Sequence, residues 1–311
     1  MRVLGWLMAC AVVASAADCD RTCLKNTMTT YLNALVAQNP AKAGLASKVR
    51  FTEDGKDLKV GEGFWKTATK LGDYRQDFID VKEQQVAAHV TVEESGKRAL
   101  YTVRLKVEKK KITEIETLVT HAGERTNNGA PLITRPDMGV EPPAERKNKR
   151  AEILKAADYY PRGLTVGGFD RDKVDAPFAQ GTFRIENGMV MAGEGCGRGT
   201  PSGGPAKGPA TPKEVSSKSP QDVAGCLNIK TQRIITHPDL TKSVVLVDEE
   251  QGVGLLWMNF GDTGTYGEGN ALVVYEAFKV YGGEIHVVQA FMKVLPKDTK
   301  RGWGKTLRGT E

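Results

Sequence analysis

The chain has 311 residues, 40% hydrophobic and 26% charged, with a formal net charge of +6. That length suits two domains rather than one, and the composition lets each half bury a core. The mild positive charge gathers at Lys109–Lys111, Lys147–Arg150 and Lys297–Arg308, as solvated turns and ends. A basic face interleaved with aromatics is missing, which excludes a nucleic-acid surface.

At the N-terminus, Arg2, the apolar run Val3–Val13 and Ala14-Ser15-Ala16 form a signal-peptide pattern, so residues 1–17 are expected to be cleaved on export. A lipoprotein signal ending at Cys10 competes, with a very short apolar run before it. About 20 apolar residues are needed to span a bilayer, and no stretch reaches that. The expectation is a secreted or periplasmic protein without membrane insertion.

Four cysteines remain after cleavage: Cys19, Cys23, Cys196 and Cys226. An even number in an oxidising compartment points to two disulfides. Pairing within each half gives Cys19–Cys23, on one helical face, and Cys196–Cys226; free thiols are the alternative. Thiolates and histidines do not cluster at ligand spacing, so neither metal nor cofactor is expected.

Residues 18–124 read as a first domain. Cys23–Ala37 is helical, with Leu24, Met28, Tyr31, Leu32 and Leu35 on one side. Strands are expected at 49–55, 74–81, 86–93, 99–107 and 112–120, with an extended piece at 58–65 and a helical turn up to Leu71. Residues 125–143, rich in Pro, Gly and Asn, form the linker. The second domain, 144–296, restarts with a helix that Pro161 is expected to stop. Its segment 196–226 is a Gly/Pro/Ser/Lys-rich insertion, either a solvated loop clipped by a disulfide or a lid. Residues 297–311 are a basic tail.

The halves repeat one another. Tyr159–Leu164 lies over Thr30–Leu35, Thr182–Gly188 over Val49–Gly55, and the hairpin Val274–Met292 over Tyr101–Val119. Leu105-Lys106-Val107 falls on Phe278-Lys279-Val280, and Ile112 on Ile285. These segments, with Gly61-Glu-Gly-Phe-Trp65 and Val247–Gly252, resemble the nuclear-transport-factor-two-like, or SnoaL-like, superfamily, and within it an uncharacterised secreted domain family of fungi and bacteria. The resemblance implies an α+β fold: two tandem cone-shaped barrels, each an N-terminal helix packed in a curved antiparallel sheet. It also implies a conical pocket for a small apolar molecule, in a superfamily that includes isomerases, dehydratases and non-catalytic members.

Candidate site residues follow from alternation along strands. If His286 shares a face with Val288 and Ala290, an imidazole sits on an apolar wall as a general acid or base; a structural histidine is the alternative. Tyr160 and Tyr31 lie on the first helix of each half, where the resemblance implies pocket contact and a phenol can donate to an oxyanion or simply pack. Asp54 and Asn187 stand beside a glycine at matching places, as site groups or as turn residues. Trp257, Asn259 and Tyr275 are expected to line the second cavity, and Arg75 or Arg233 to bind a carboxylate. The functional expectation is a cofactor-free lyase, dehydratase or isomerase acting by acid–base chemistry, with His286 and Tyr160 catalytic. A carrier for a small hydrophobic ligand and a purely structural tandem are the alternatives.

Overall fold

The computed structural model describes residues 18–127, 129, 131–196, 227–232, 234–304 and 307–308. Each half is one helix laid into one sheet. In the first, helix α1 (Arg21–Val36) precedes strands β1 (Leu45–Glu53), β2 (Lys56–Leu58), β3 (Ala68–Asp80), β4 (Gln85–Glu94), β5 (Lys97–Glu108) and β6 (Lys111–Thr120). In the second, α2 (Arg150–Val166) precedes β7 (Phe178–Glu186), β8 (Met189–Ala192), β9 (Thr241–Asp248), β10 (Val253–Asn259), β11 (Asn270–Tyr281) and β12 (Glu284–Pro296). The sheet orders are β2-β1-β6-β5-β4-β3 and β8-β7-β12-β11-β10-β9, the latter extended at its β9 edge by β13 (Leu307–Arg308). All pairings are antiparallel except β1 with β6 and β7 with β12, which are parallel in both halves. The tandem pair of α+β cones expected from the sequence is the fold of this chain.

The repeat extends to single hydrogen bonds. Asp54 and Asn187 both have positive φ and are followed by a glycine with positive φ, the conformation of a tight hairpin turn. The Asp54 amide donates to Thr117 O and the Asn187 amide to Ala290 O. Their side-chain oxygens accept from the Val119 and Met292 amides, at 3.0 and 2.8 Å. Val119 and Met292 are the residues that the sequence alignment already pairs.

Two local expectations need correction. The segment leading to Leu71 is the start of β3, not a helical turn. Pro161 lies inside α2, which runs on to Val166 and ends at Gly167 with φ 78°. Burial of Tyr160 and Leu164 and the close approach of the Phe169 ring to Gly163 hold the last turn against the loss of one backbone bond.

The outer faces of the two sheets pack on each other. Phe78, Ala87 and Leu118 meet Leu255, Trp257, Val273, Tyr275 and Val287 in a continuous buried layer that also takes Met138 from the linker. Around it the polar contacts are reciprocal, as in an isologous dimer. Asp248 accepts from Arg21 at 2.8 and 2.9 Å and from the Ile79 amide. Asp80 accepts from Arg150 at 3.1 and 2.8 Å and from the Val247 amide. Each helix therefore begins with an arginine that reaches a buried aspartate of the other half.

The basic tail is not wholly solvated. Arg301 is buried and bonds both oxygens of Glu116 at 2.8 and 2.9 Å. Trp303 donates from Nε1 to Thr52 Oγ1 and lies under the guanidinium groups of Arg50 and Arg104. Charge density alone suggested solvent; a buried carboxylate on the other domain provides the partner.

Cys19 and Cys23 form the expected disulfide, Cα atoms 5.1 Å apart, at the start of α1. Cys196 is buried and disulfide-bonded, while its expected partner Cys226 lies outside the described residues, as do Arg233 and most of the insertion. No helix among the described residues is long and apolar enough to cross a membrane.

Candidate active site in the second cone

Alternation fixes which side chains enter each cone. In β10 the odd positions, including Trp257, face the other sheet, and the even positions Leu256 and Met258 face α2. In β11, Tyr275 and Ala277 face outward, while Val274, Glu276, Phe278 and Val280 occupy the opposite side. Trp257 and Tyr275 thus belong to the domain interface and not to the cavity wall expected for them. Asn259 sits on the same outer face and donates from Nδ2 to Lys297 O and Thr299 O, fastening the tail.

His286 is also placed elsewhere. Register shifts between Lys279 and Val280 and between Ile285 and Val287 break the alternation. Ile285, not His286, therefore joins Val288 and Ala290 on the cone face. His286 stacks on Tyr281 with centroids 3.5 Å apart and its Nε2 lies 3.1 Å from Tyr281 O. The Arg146 guanidinium also lies over that tyrosine ring, 4.6 Å from its centroid. Asp54 bonds Lys293 at 2.7 Å across the interface, and Asn187 donates to the carbonyls of Thr126 and Met292. Arg75 is held by Asp77 and Thr29.

Tyr160 does enter its cone. It is 1% exposed, with the rings of Phe169, Phe278 and Phe178 at 5.0, 5.1 and 6.4 Å between centroids. Its hydroxyl interacts with Glu276, a carboxyl from β11 that is also 1% exposed. The register sets Glu276, Ala290 and Glu186 in one row across β11, β12 and β7. Two strand spacings separate their backbones by about 10 Å, with Ala290 in the row between them. Arg184, two residues before Glu186 and on the same side, bonds Glu186 at 2.8 Å and Gln232 Oε1 at 3.0 Å. Gln232 itself bonds Met191 O, so the chain after the insertion is tied to β8.

The electrostatics single out Glu276. Burial pushes its pKa up to about 8, the nearby Glu186 adds to that, and Arg184 and Tyr160 oppose it. At neutral pH it is mainly the protonated acid. Burial drives the Tyr160 phenol well above its usual range, so it is a donor throughout. Glu276 Oε2 and Arg184 Nε are buried with no hydrogen-bond partner. An unmet buried polar group costs about 1–3 kcal/mol, and this cone holds two.

The first cone has a different interior. Tyr31 occupies the place of Tyr160, but its hydroxyl is satisfied by Tyr101 OH at 2.9 Å, and Trp65 meets it edge-on. Phe51 stands where the second half has Arg184, and Val103 where it has Glu276, both in the apolar core. Glu53, the counterpart of Glu186, accepts from the Phe64 amide, and burial raises its pKa to about 7. Arg184, Gln232 and Glu276 were missed in the sequence. A charged residue at an inward strand position was the available signal for Glu276, legible once β11 was phased by its hairpin. Among the described residues no group of three or more His, Cys, Asp or Glu could hold a metal ion.

Residues 146–292 match the family model described as "Domain of unknown function (DUF8021)", just under half of the chain. No curated protein matches. An NTF2-like protein of unknown function from Cytophaga hutchinsonii is 16% identical, covering 31% of this chain and 87% of its own, with TM-score 0.22. A de novo designed protein with a curved β-sheet is 20% identical over 32% of this chain and 88% of its own, with TM-score 0.27. A Kribbella flavida protein assigned as a ketosteroid isomerase is 14% identical over 40% and 93%, with TM-score 0.26.

Proposed function

We propose that the protein is exported with residues 1–17 as its signal and that its second cone holds a small, partly apolar molecule on which Glu276 and Tyr160 perform acid–base chemistry. One observation carries this reading: a buried carboxyl with an unpartnered oxygen, beside a phenol and a guanidinium, where the sister domain has Val103 in place of the carboxyl and Phe51 in place of the guanidinium. The protonated carboxyl delivers a proton to the bound molecule and recovers one as carboxylate, a lyase or isomerase type of step. Tyr160 keeps the donor role expected for it, held in place by three phenylalanine rings. The acid–base role passes from His286 to Glu276 because the bulge at Ile285 turns the imidazole out of the cone. Export is supported by the disulfide at the start of the mature chain.

Native mass spectrometry of protein purified from its source tests the site. Wild-type protein is expected to retain a small molecule that Tyr160→Phe and Glu276→Val variants retain poorly. Equal retention by the variants removes the second cone as the site. A retained molecule that comes off chemically unchanged after incubation makes the protein a carrier.

A further inference from the structure

We infer that the ligand of the second cone is an anion, a small carboxylate with an aromatic or apolar body, whose oxygens receive hydrogen bonds from Arg184 Nε and from Glu276. This rests on the second cone being the binding site. The polar inventory selects the charge. Arg184 already balances Glu186 through their 2.8 Å contact, and Gln232 accepts from its Nη1. What remains unmet is one guanidinium N–H and one oxygen of a carboxyl that is protonated at neutral pH. Both are hydrogen-bond donors in that state, while the Tyr160 hydroxyl is already engaged with Glu276. A ligand that completes them must bring acceptors, and a carboxylate brings two oxygens in one plane suited to a guanidinium edge. A cationic ligand would leave the Arg184 N–H unpaired and lie against a like charge in a low-dielectric interior. The rings of Phe169, Phe178 and Phe278 supply the apolar wall for the rest of the molecule.

The charge state of Glu276 then gates binding. The titratable groups facing it are Tyr160 from α2 and Arg184 and Glu186 from β7, with Tyr266 electrostatically coupled to that last pair. From β10 and β12 the same interior receives Leu256, Met258, Val288 and Ala290, none of which titrates. Ionisation of Glu276 above about pH 8 converts a donor into a second negative charge beside the ligand.

Thermal unfolding of the full mature chain with benzoate, benzyl alcohol or benzylamine, at pH 6.5 and pH 9, tests the assignment. Benzoate is expected to raise the midpoint at pH 6.5 with neither of the others doing so, and to bind at least about tenfold more weakly at pH 9. Glu276→Gln, which keeps a donor and cannot ionise, is expected to bind benzoate almost equally at both pH values. Arg184→Lys, which keeps the charge and loses the Nε–H, is expected to lose benzoate. Stabilisation by benzylamine that disappears in Glu276→Gln leaves the site standing and overturns the anion. Benzoate binding that survives Arg184→Lys unchanged also overturns it. No stabilisation by any probe, together with no ligand retained by native protein, removes the reading of the cone as a site and the inference with it.

Discussion

Two tyrosines at matching places on two helices have opposite surroundings. Tyr31 finds Tyr101, and the first cone closes around a hydroxyl pair with Phe51 and Val103 as its walls. Tyr160 finds Glu276 and Arg184, and the second cone closes around polar groups that are not all satisfied. The backbone scaffold is the same, down to the turn at Asp54 and Asn187. The first cone leaves one indole N–H, Trp65 Nε1, without a partner, whereas the second leaves a guanidinium N–H and a carboxyl oxygen, whose cost a ligand with acceptors can relieve.

The largest expected effect concerns the seam that makes the halves comparable. Asp248→Ala removes the partner of Arg21 and of the Ile79 amide, and Asp80→Ala does the same to Arg150 and the Val247 amide. Each is expected to lower unfolding free energy in urea by about 3 kcal/mol, the low end for breaking a buried pair because the arginines are partly solvated. Similar losses for the two would confirm the reciprocal interface; a loss in one alone breaks the symmetry. Next, Arg184→Phe, Glu186→Leu and Glu276→Val together replace the charged group of the second cone by apolar side chains, so that Glu186 is not left without its Arg184 partner. Apolar replacement of buried charge is expected to stabilise the chain by about 1–3 kcal/mol in denaturant titration, with ligand retention abolished.

Protonation gives the seam and the second cone opposite slopes. His89, buried between the sheets against Phe291 and Gln289, has its pKa lowered by burial to about 3. The unfolded chain binds that proton below about pH 6.5 while the folded chain does not, so stability falls as pH drops from 6.5 towards 3. Glu276 acts in the other direction: folded protein holds its proton up to about pH 8 while unfolded chain releases it near 4.5, so this contribution is lost as pH rises between those values. Urea midpoints of His89→Gln are expected to flatten the acid limb, and those of Glu276→Gln the neutral limb. The smallest change is Tyr31→Phe, which loses one hydroxyl pair and about 1 kcal/mol and leaves ligand retention in the second cone as it was.

Much of the architecture was legible because repetition and period are local properties. The hairpins 101–119 and 274–292, the helix stripe from Leu24 to Leu35 and the Asp-Gly and Asn-Gly turns each carry their own signal. The site was less so. Strict alternation assigned His286 to the cone, but one extra residue in the ladder reverses the face. Trp257 and Tyr275 were given to a cavity because an apolar strand does not state which of its two buried faces meets the helix and which meets another sheet.

The sequence by itself determined that there are two like units and that a cysteine pair closes at the start of the first helix, since these depend on residues close together or on patterns that recur. Only the tertiary structure decided that the units share a buried, reciprocal seam, that Arg301 and Trp303 belong to it, and that Glu276 meets Tyr160 and Arg184. Those contacts join strands far apart in the chain, and burial, not spacing, sets the charge of the carboxyl on which the proposed chemistry depends.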